Sequence, residues 1–135
     1  MNRSPIKRKP RKKKPGDDPK LLFFVRQLPC FVCYREIYEV FRREPAQLLV
    51  FIQDQPDFGR QESRTEAAHL GRSASRRGLK QRFPDNEAGP LCGEAHHRTG
   101  EASIHKLGPG FWSFHGLDRD LVIDQIQGLY AESLK

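Results

Sequence analysis

The sequence predicts an α+β fold with a β-hairpin, flanking helices, a metal-bound knuckle and a disordered basic N-terminal tail. Three observations lead to this prediction. Segments with strand character lie among segments of helical periodicity. Three cysteines and a nearby histidine have the spacing of metal ligands, and only 36% of the 135 residues are hydrophobic. Because so small a core often needs a metal ion or a partner, a metal-stabilised domain over 20–135 is expected.

The tail, residues 1–19, carries the net charge. Residues 1–20 hold nine Lys or Arg and two Asp or Glu, whereas residues 21–135 hold 15 of each kind. Such a block cannot fold by itself. We expect it to contact DNA through Lys12, Lys13 and Lys14, because phosphate contacts release counterions. A solubility tail or a nuclear-import signal is the alternative, and no hydrophobic anchor accompanies the lysines to favour a membrane surface.

The first half of the domain predicts two helices and one ambiguous segment. Two aspartates followed by Pro19 predict a helix that continues to residue 26. Helical spacing of apolar residues predicts a second helix over 35–43. Residues 46–54, with the run LLVFI, fit either a strand or a buried helix, and residues 55–64 fit a loop.

The second half predicts the hairpin and the remaining helices. Residues 65–70 form a short strand that ends at His69, and residues 84–91 lead into its partner. A helix begins near Gly93, and Gly-Pro-Gly at 108–110 is a break. Asp118 or Asp120 caps a final helix. Its apolar face is predicted to comprise Leu121, Val122, Ile126, Leu129 and Tyr130.

The cysteines indicate a zinc site. Cys30 and Cys33 form a C-x2-C pair, and Cys92 and His96 form a C-x3-H pair. A tetrahedral zinc ion takes sulfur and nitrogen ligands, often as two short-range pairs brought together by the fold. The alternative is that the cysteines are three small buried hydrophobic residues. We predict one structural Zn²⁺ bound by all four residues.

The number of cysteines and the start of the chain suggest a reducing compartment. Three is an odd number of cysteines, and the basic start of the chain has no apolar core of the signal-peptide type. Metal-bound thiolates therefore fit better than a disulfide framework. The longest apolar runs, near 21–25 and 48–52, are too short to span a membrane. An intracellular protein is expected.

The strings PCFVC, EAAHL, RGLKQRFPD, GPLCGEAHH, HKLG and FHGLD resemble, in this order, small phage-type HNH endonucleases of the ββα-metal superfamily. The resemblance covers about 24–118, interrupted by an insertion at about 34–64. It departs from the family pattern at Ala68, where many members have a metal ligand. It departs also at Glu87, where the central asparagine normally lies.

The resemblance implies an HNH core on the zinc knuckle and assigns residue roles. His69 matches the general base, and His105 matches a ligand of a catalytic Mg²⁺ or Mn²⁺. His97 matches a second histidine of the site, although a neighbour of a zinc ligand can simply donate hydrogen bonds. Asp85 fills an aspartate position of the phage branch, as a catalytic residue or a turn residue after Pro84.

The implied function is a metal-dependent DNA endonuclease or nickase, encoded by a phage, active in recombination or DNA processing, and located in the cytoplasm of a bacterial host. A loop between the hairpin strands would add phosphate contacts, or would simply face water. Its basic residues are Arg72, Arg76, Arg77, Lys80 and Arg82. A homodimer or a recombination-protein partner is a further expectation. The alternative is an inactive zinc-knuckle protein that binds DNA as an accessory.

Overall fold

A computed structural model describes residues 17–55, 58–71 and 84–135. Helices α1 (Pro19–Arg26), α2 (Arg35–Val40) and α3 (Pro45–Gln53) precede strand β1 (Thr65–His69). A 3-10 turn at Asp85–Glu87 leads into strand β2 (Ala88–Cys92), which continues into a π-helix at Gly93–Arg98. The described chain is completed by α4 (Ile104–Leu107), a 3-10 turn (Gly108–Gly110), α5 (Phe111–His115) and α6 (Arg119–Ser133). The predicted α+β class is confirmed.

Helix α1 begins as predicted. The Asp18 side chain accepts a hydrogen bond of 3.2 Å from the N–H of Leu21, and Pro19 occupies the first turn. The ambiguous segment is helix α3 rather than a strand. Leu48 and Ile52, one helical turn apart, are buried where α3 packs on α6. The composition of this segment fitted either a strand or a helix, and the burial of a single helical face is what the observed structure adds.

The helix predicted over 35–43 is shorter than expected. Helix α2 ends at Val40, and residues 41–43 form a turn before α3. Val40 is exposed and Tyr38 is the fully buried residue of α2. The Tyr38 hydroxyl donates a 2.6 Å hydrogen bond to the carbonyl of Pro29, which lies just before the first cysteine.

The β-hairpin has two distinct ends, one at Cys92 and one at His69. In the antiparallel register, Thr65 lies opposite Cys92 and His69 lies opposite Ala88. At about 3.3 Å per residue, the two ends of the pair are roughly 13 Å apart. The cysteine end meets the knuckle, because the Phe31 N–H donates a 2.8 Å bond to the carbonyl of Pro90 in β2.

Helix α6 closes the core. Asp118 caps it by accepting hydrogen bonds from the N–H groups at 120 and 121. The predicted apolar face is wrong at Leu121, which is 48% exposed, and Ile123 is fully buried in its place. Rotation by about 100° per residue places 122, 123, 126 and 129 on the covered side.

The aromatic cluster after the Gly-Pro-Gly turn is only partly core. Phe111 is fully buried and packs edge-on against Trp112, with ring centroids 5.1 Å apart. Phe114, in the same short helix, is 64% exposed. The short helix α5 has room for one buried aromatic face, so Phe114 faces outward.

Candidate functional site

Cys30, Cys33, Cys92 and His96 form a compact group, called here the Cys3His cluster. Their ligand atoms all lie within 4.8 Å of one another. The Nδ1 atom of His96 is 3.5 Å from the sulfur of Cys30, 3.4 Å from that of Cys33 and 3.0 Å from that of Cys92. The Cys33 and Cys92 sulfurs are 3.9 Å apart. The predicted grouping of these four residues is confirmed.

These separations fit a tetrahedral ion. Bonds of about 2.3 Å to sulfur and 2.0–2.1 Å to nitrogen place ligand atoms roughly 3.5–3.8 Å apart along the tetrahedral edges. All but one of the four distances lie near that range, and the Cys92–His96 distance is about half an ångström shorter. Zn²⁺ is the metal that a Cys3His donor set favours. The group can therefore hold a structural metal ion such as zinc.

Local backbone geometry explains how the cluster forms. A turn closed by the Tyr34 N–H on the Cys30 carbonyl (3.0 Å) aims the first two sulfurs at one point. The Cys30 N–H also donates to the side-chain oxygen of Gln61 (2.6 Å), which ties the turn to the start of β1. The wide turn of the π-helix then carries His96 back over Cys92.

The thiols need a cation to ionise together. Hydrogen bonds from the Cys33 and Cys92 thiols lower the pKa of Cys30 to about 3. The hydrogen bond to Cys30 raises the pKa of Cys33 above its ordinary value. One thiolate thus opposes ionisation of the next, because negative charges in one buried space repel. A divalent cation bound between the sulfurs would offset that repulsion.

Three other histidines meet at a second location. His69, His97 and His105 line one cavity of about 410 Å³, called here the imidazole cavity. The rings of His97 and His105 are in edge contact, with centroids 4.7 Å apart. Arg119 of α6 lines the same cavity. The sequence positions 69, 97 and 105, predicted to act together, are therefore neighbours in space.

His69 is held by a buried carboxylate. Its Nε2 atom lies 2.8 Å from the Oδ1 of Asp85, and the other Asp85 oxygen accepts a 2.8 Å bond from the Asp18 N–H. The Asp85 side chain is only 9% exposed. Asp85 is thus the first residue of a turn, as one alternative held, but its side chain points inward onto His69. With Nε2–H donated to Asp85, the lone pair of His69 lies on Nδ1.

His97 is held by a second carboxylate. Its Nδ1 lies 2.8 Å from the Oε1 of Glu66, which also accepts from Arg98 at 2.8 Å. Burial acts to raise the pKa of Glu66, but the bonds from His97 and Arg98 hold it below its usual value. Burial also lowers the pKa of His97, so this ring favours the neutral form. Its Nε2 then carries the lone pair.

Gly93 makes room for that carboxylate. A Cβ at position 93 would lie 2.7 Å from the Cδ of Glu66. Glycine therefore permits the first turn of the π-helix to pass directly over the Glu66 side chain. Sequence reasoning missed Glu66, although it occupies the first position of the EAAHL string.

His115 lies outside the imidazole cavity and has a structural place. Its Nε2 donates a 2.8 Å hydrogen bond to the carbonyl of Ala102, and its ring packs on Phe111 and edge-on to His96. Burial lowers the pKa of His115. The ring therefore supports the Cys3His cluster from behind.

Several predicted phosphate contacts lie outside the described residues. They are Lys12, Lys13, Lys14, Arg72, Arg76, Arg77, Lys80 and Arg82. None of the helices in the described part of the chain combines the length and apolar character of a membrane span. Comparison of the chain with protein-family models, with curated proteins and with solved structures found no match.

Proposed function

We propose that the protein is a metal-dependent DNA endonuclease or nickase. The observation that carries the proposal is the imidazole cavity, where His69, His97 and His105 converge although the sequence separates them by up to 36 positions. Two of these rings are each oriented by a carboxylate. Paired carboxylate and imidazole groups facing an open cavity are suited to proton transfer and to ion binding.

His69 is the proposed general base. Asp85 accepts the Nε2–H and so presents the basic Nδ1 to a water molecule. The water oxygen attacks phosphorus and gives its proton to Nδ1. The bond from phosphorus to the 3′ oxygen breaks, and that oxygen leaves with the electron pair and takes a proton from solvent. The carboxylate beside the ring stabilises the imidazolium that forms.

His97 and His105 are the proposed ligands of the catalytic ion. Glu66 fixes the Nδ1–H tautomer of His97 and leaves Nε2 as the ligand atom. Mg²⁺ or Mn²⁺ bound there would neutralise charge on the phosphate and the leaving oxygen, and Mn²⁺ accepts imidazole more readily. Ala68, where many HNH members have a ligand, is fully buried in the core. The proposed protein ligands of the ion therefore come from the π-helix and α4.

The Cys3His cluster has a structural role in this proposal. The π-helix carries His96 to the zinc site and His97 to the imidazole cavity on consecutive residues. Zinc bound at position 96 thus fixes the segment that presents position 97. The resemblance to phage HNH enzymes supplies the proposed setting, DNA recombination or processing in a bacterial host.

An inactive DNA-binding accessory is the alternative. It would need the Cys3His cluster and the basic tail, but not two imidazoles each buttressed by a carboxylate. The oriented pairs at His69 and His97 favour the enzyme.

The test is nicking of supercoiled plasmid in Mg²⁺ or Mn²⁺. We expect His69→Ala to abolish nicking while zinc content and melting temperature stay near those of the wild type. The matched control is His115→Gln, which alters an imidazole outside the cavity and keeps a donor for the Ala102 carbonyl. Nicking by His69→Ala at the wild-type rate would remove the proposed base.

A further inference from the structure

Arg119 supplies a fixed positive charge to the imidazole cavity. Among the described residues that line this cavity, it is the only lysine or arginine. Its Nη1 donates a 2.9 Å hydrogen bond to the carbonyl of Gly71, two residues after His69. This bond, across 48 positions of sequence, ties the guanidinium to the end of the strand that carries the proposed base.

The helix that begins at Arg119 is anchored in the core by buried side chains. Arg119 is the first residue of α6, and Val122 and Ile123 in the next turn are buried in the core. Asp118 accepts hydrogen bonds from the N–H groups at the helix start, and Arg119 lines the cavity. The Asp120 carboxylate lies 3.6 Å from Nε but is 60% exposed, and such a pair is weak.

We propose that Arg119 is a further catalytic residue that binds non-bridging oxygens of the phosphate undergoing hydrolysis. This inference rests on the proposed nuclease function. Guanidinium has five N–H donors, of which Gly71 accepts one, and its planar fork suits phosphate. In the proposed function, His69 takes up a proton, and His97 and His105 bind the ion. The positive charge of Arg119 then stabilises the negative charge that the phosphate oxygens gain during attack.

The experiment compares Arg119→Ala and Arg119→Lys with wild type, using Mn²⁺-dependent plasmid nicking resolved into kcat and KM. Arg43→Ala is the matched control, because Arg43 is exposed in the turn between α2 and α3. We expect Arg119→Ala to lower kcat by about 100-fold or more with little change in KM. Lysine keeps the charge but lacks the fork, so Arg119→Lys should remain at least about 10-fold slower. Added guanidinium ion should partly restore Arg119→Ala and leave Arg43→Ala unchanged.

Zinc content and melting temperature are measured on every variant. An increase in the KM of Arg119→Ala with an unchanged kcat would assign Arg119 to flanking phosphates and overturn the proposed role. So would a kcat for Arg119→Ala within a factor of about three of wild type. If the wild type itself nicks no DNA form, the nuclease function fails and this role fails with it. If the wild type nicks and Arg119→Ala nicks equally, only the role of Arg119 fails.

Discussion

Replacing His96 by asparagine removes one ligand from the Cys3His cluster. Structural zinc contributes roughly 10–16 kcal/mol in small zinc domains, or about 3 kcal/mol for each of four ligands. The whole stability of a domain this size is about 5–15 kcal/mol. The His96 nitrogen lies within 3.5 Å of all three sulfurs, so no other group shares its position. We expect His96→Asn to lower the melting temperature by roughly 10 °C or more.

The matched control is the next residue. His97→Asn makes the same chemical change, but His97 contacts Glu66 through Nδ1, and an asparagine amide can donate to the same carboxylate. Zinc per chain is measured after purification without chelator, and melting is followed by circular dichroism. We expect zinc to be lost from His96→Asn and retained by His97→Asn. A His96→Asn protein with full zinc and an unchanged melting curve would refute the assignment of the cluster.

Three further predictions concern stability. Burial raises the pKa of Tyr38 well above 10. The contribution of the neutral Tyr38 side chain to the free energy of unfolding is therefore complete below pH 10 and declines as pH rises further. Urea titrations at pH 8 and above pH 10 should therefore show a steeper alkaline loss for wild type than for Tyr38→Phe. In urea titrations, Ile123→Ala should lower the free energy of unfolding by about 2–5 kcal/mol, and Leu121→Ala should lower it by under about 0.5 kcal/mol. Equal losses for the two variants would contradict the placement of α6. Gly93→Ala should cost about 1–3 kcal/mol, and much less in a Glu66→Ala background, as a double-mutant cycle by urea titration would show.

The elements that the sequence predicts well are those with strong local signals. Asp18 and Pro19 mark the start of α1, and Asp118 marks the start of α6, because caps act within one turn. The Cys3His cluster is predictable because zinc ligands have few alternatives in residue type and spacing. Strand β1 also ends at His69, as predicted.

What the sequence does not predict depends on packing over long distances. Leu121 and Ile123 are equally apolar, and only the docking angle of α6 decides which is buried. Glu66 looks like a surface acid until the fold brings it to His97. Asp85 matches a family position, but its pairing with His69 is visible only in the fold. Arg119 follows no motif, and its position in the cavity depends on how α6 meets the end of β1.

We propose that the imidazole cavity hydrolyses DNA with a divalent ion, separately from the zinc. The most direct measurement is conversion of supercoiled plasmid to nicked circles by zinc-loaded protein, with and without Mn²⁺. We expect nicking with Mn²⁺, none without an added ion, and none by a His69→Ala protein that still holds zinc. Plasmid that is bound but left intact in every divalent ion would contradict the account and favour a DNA-binding accessory.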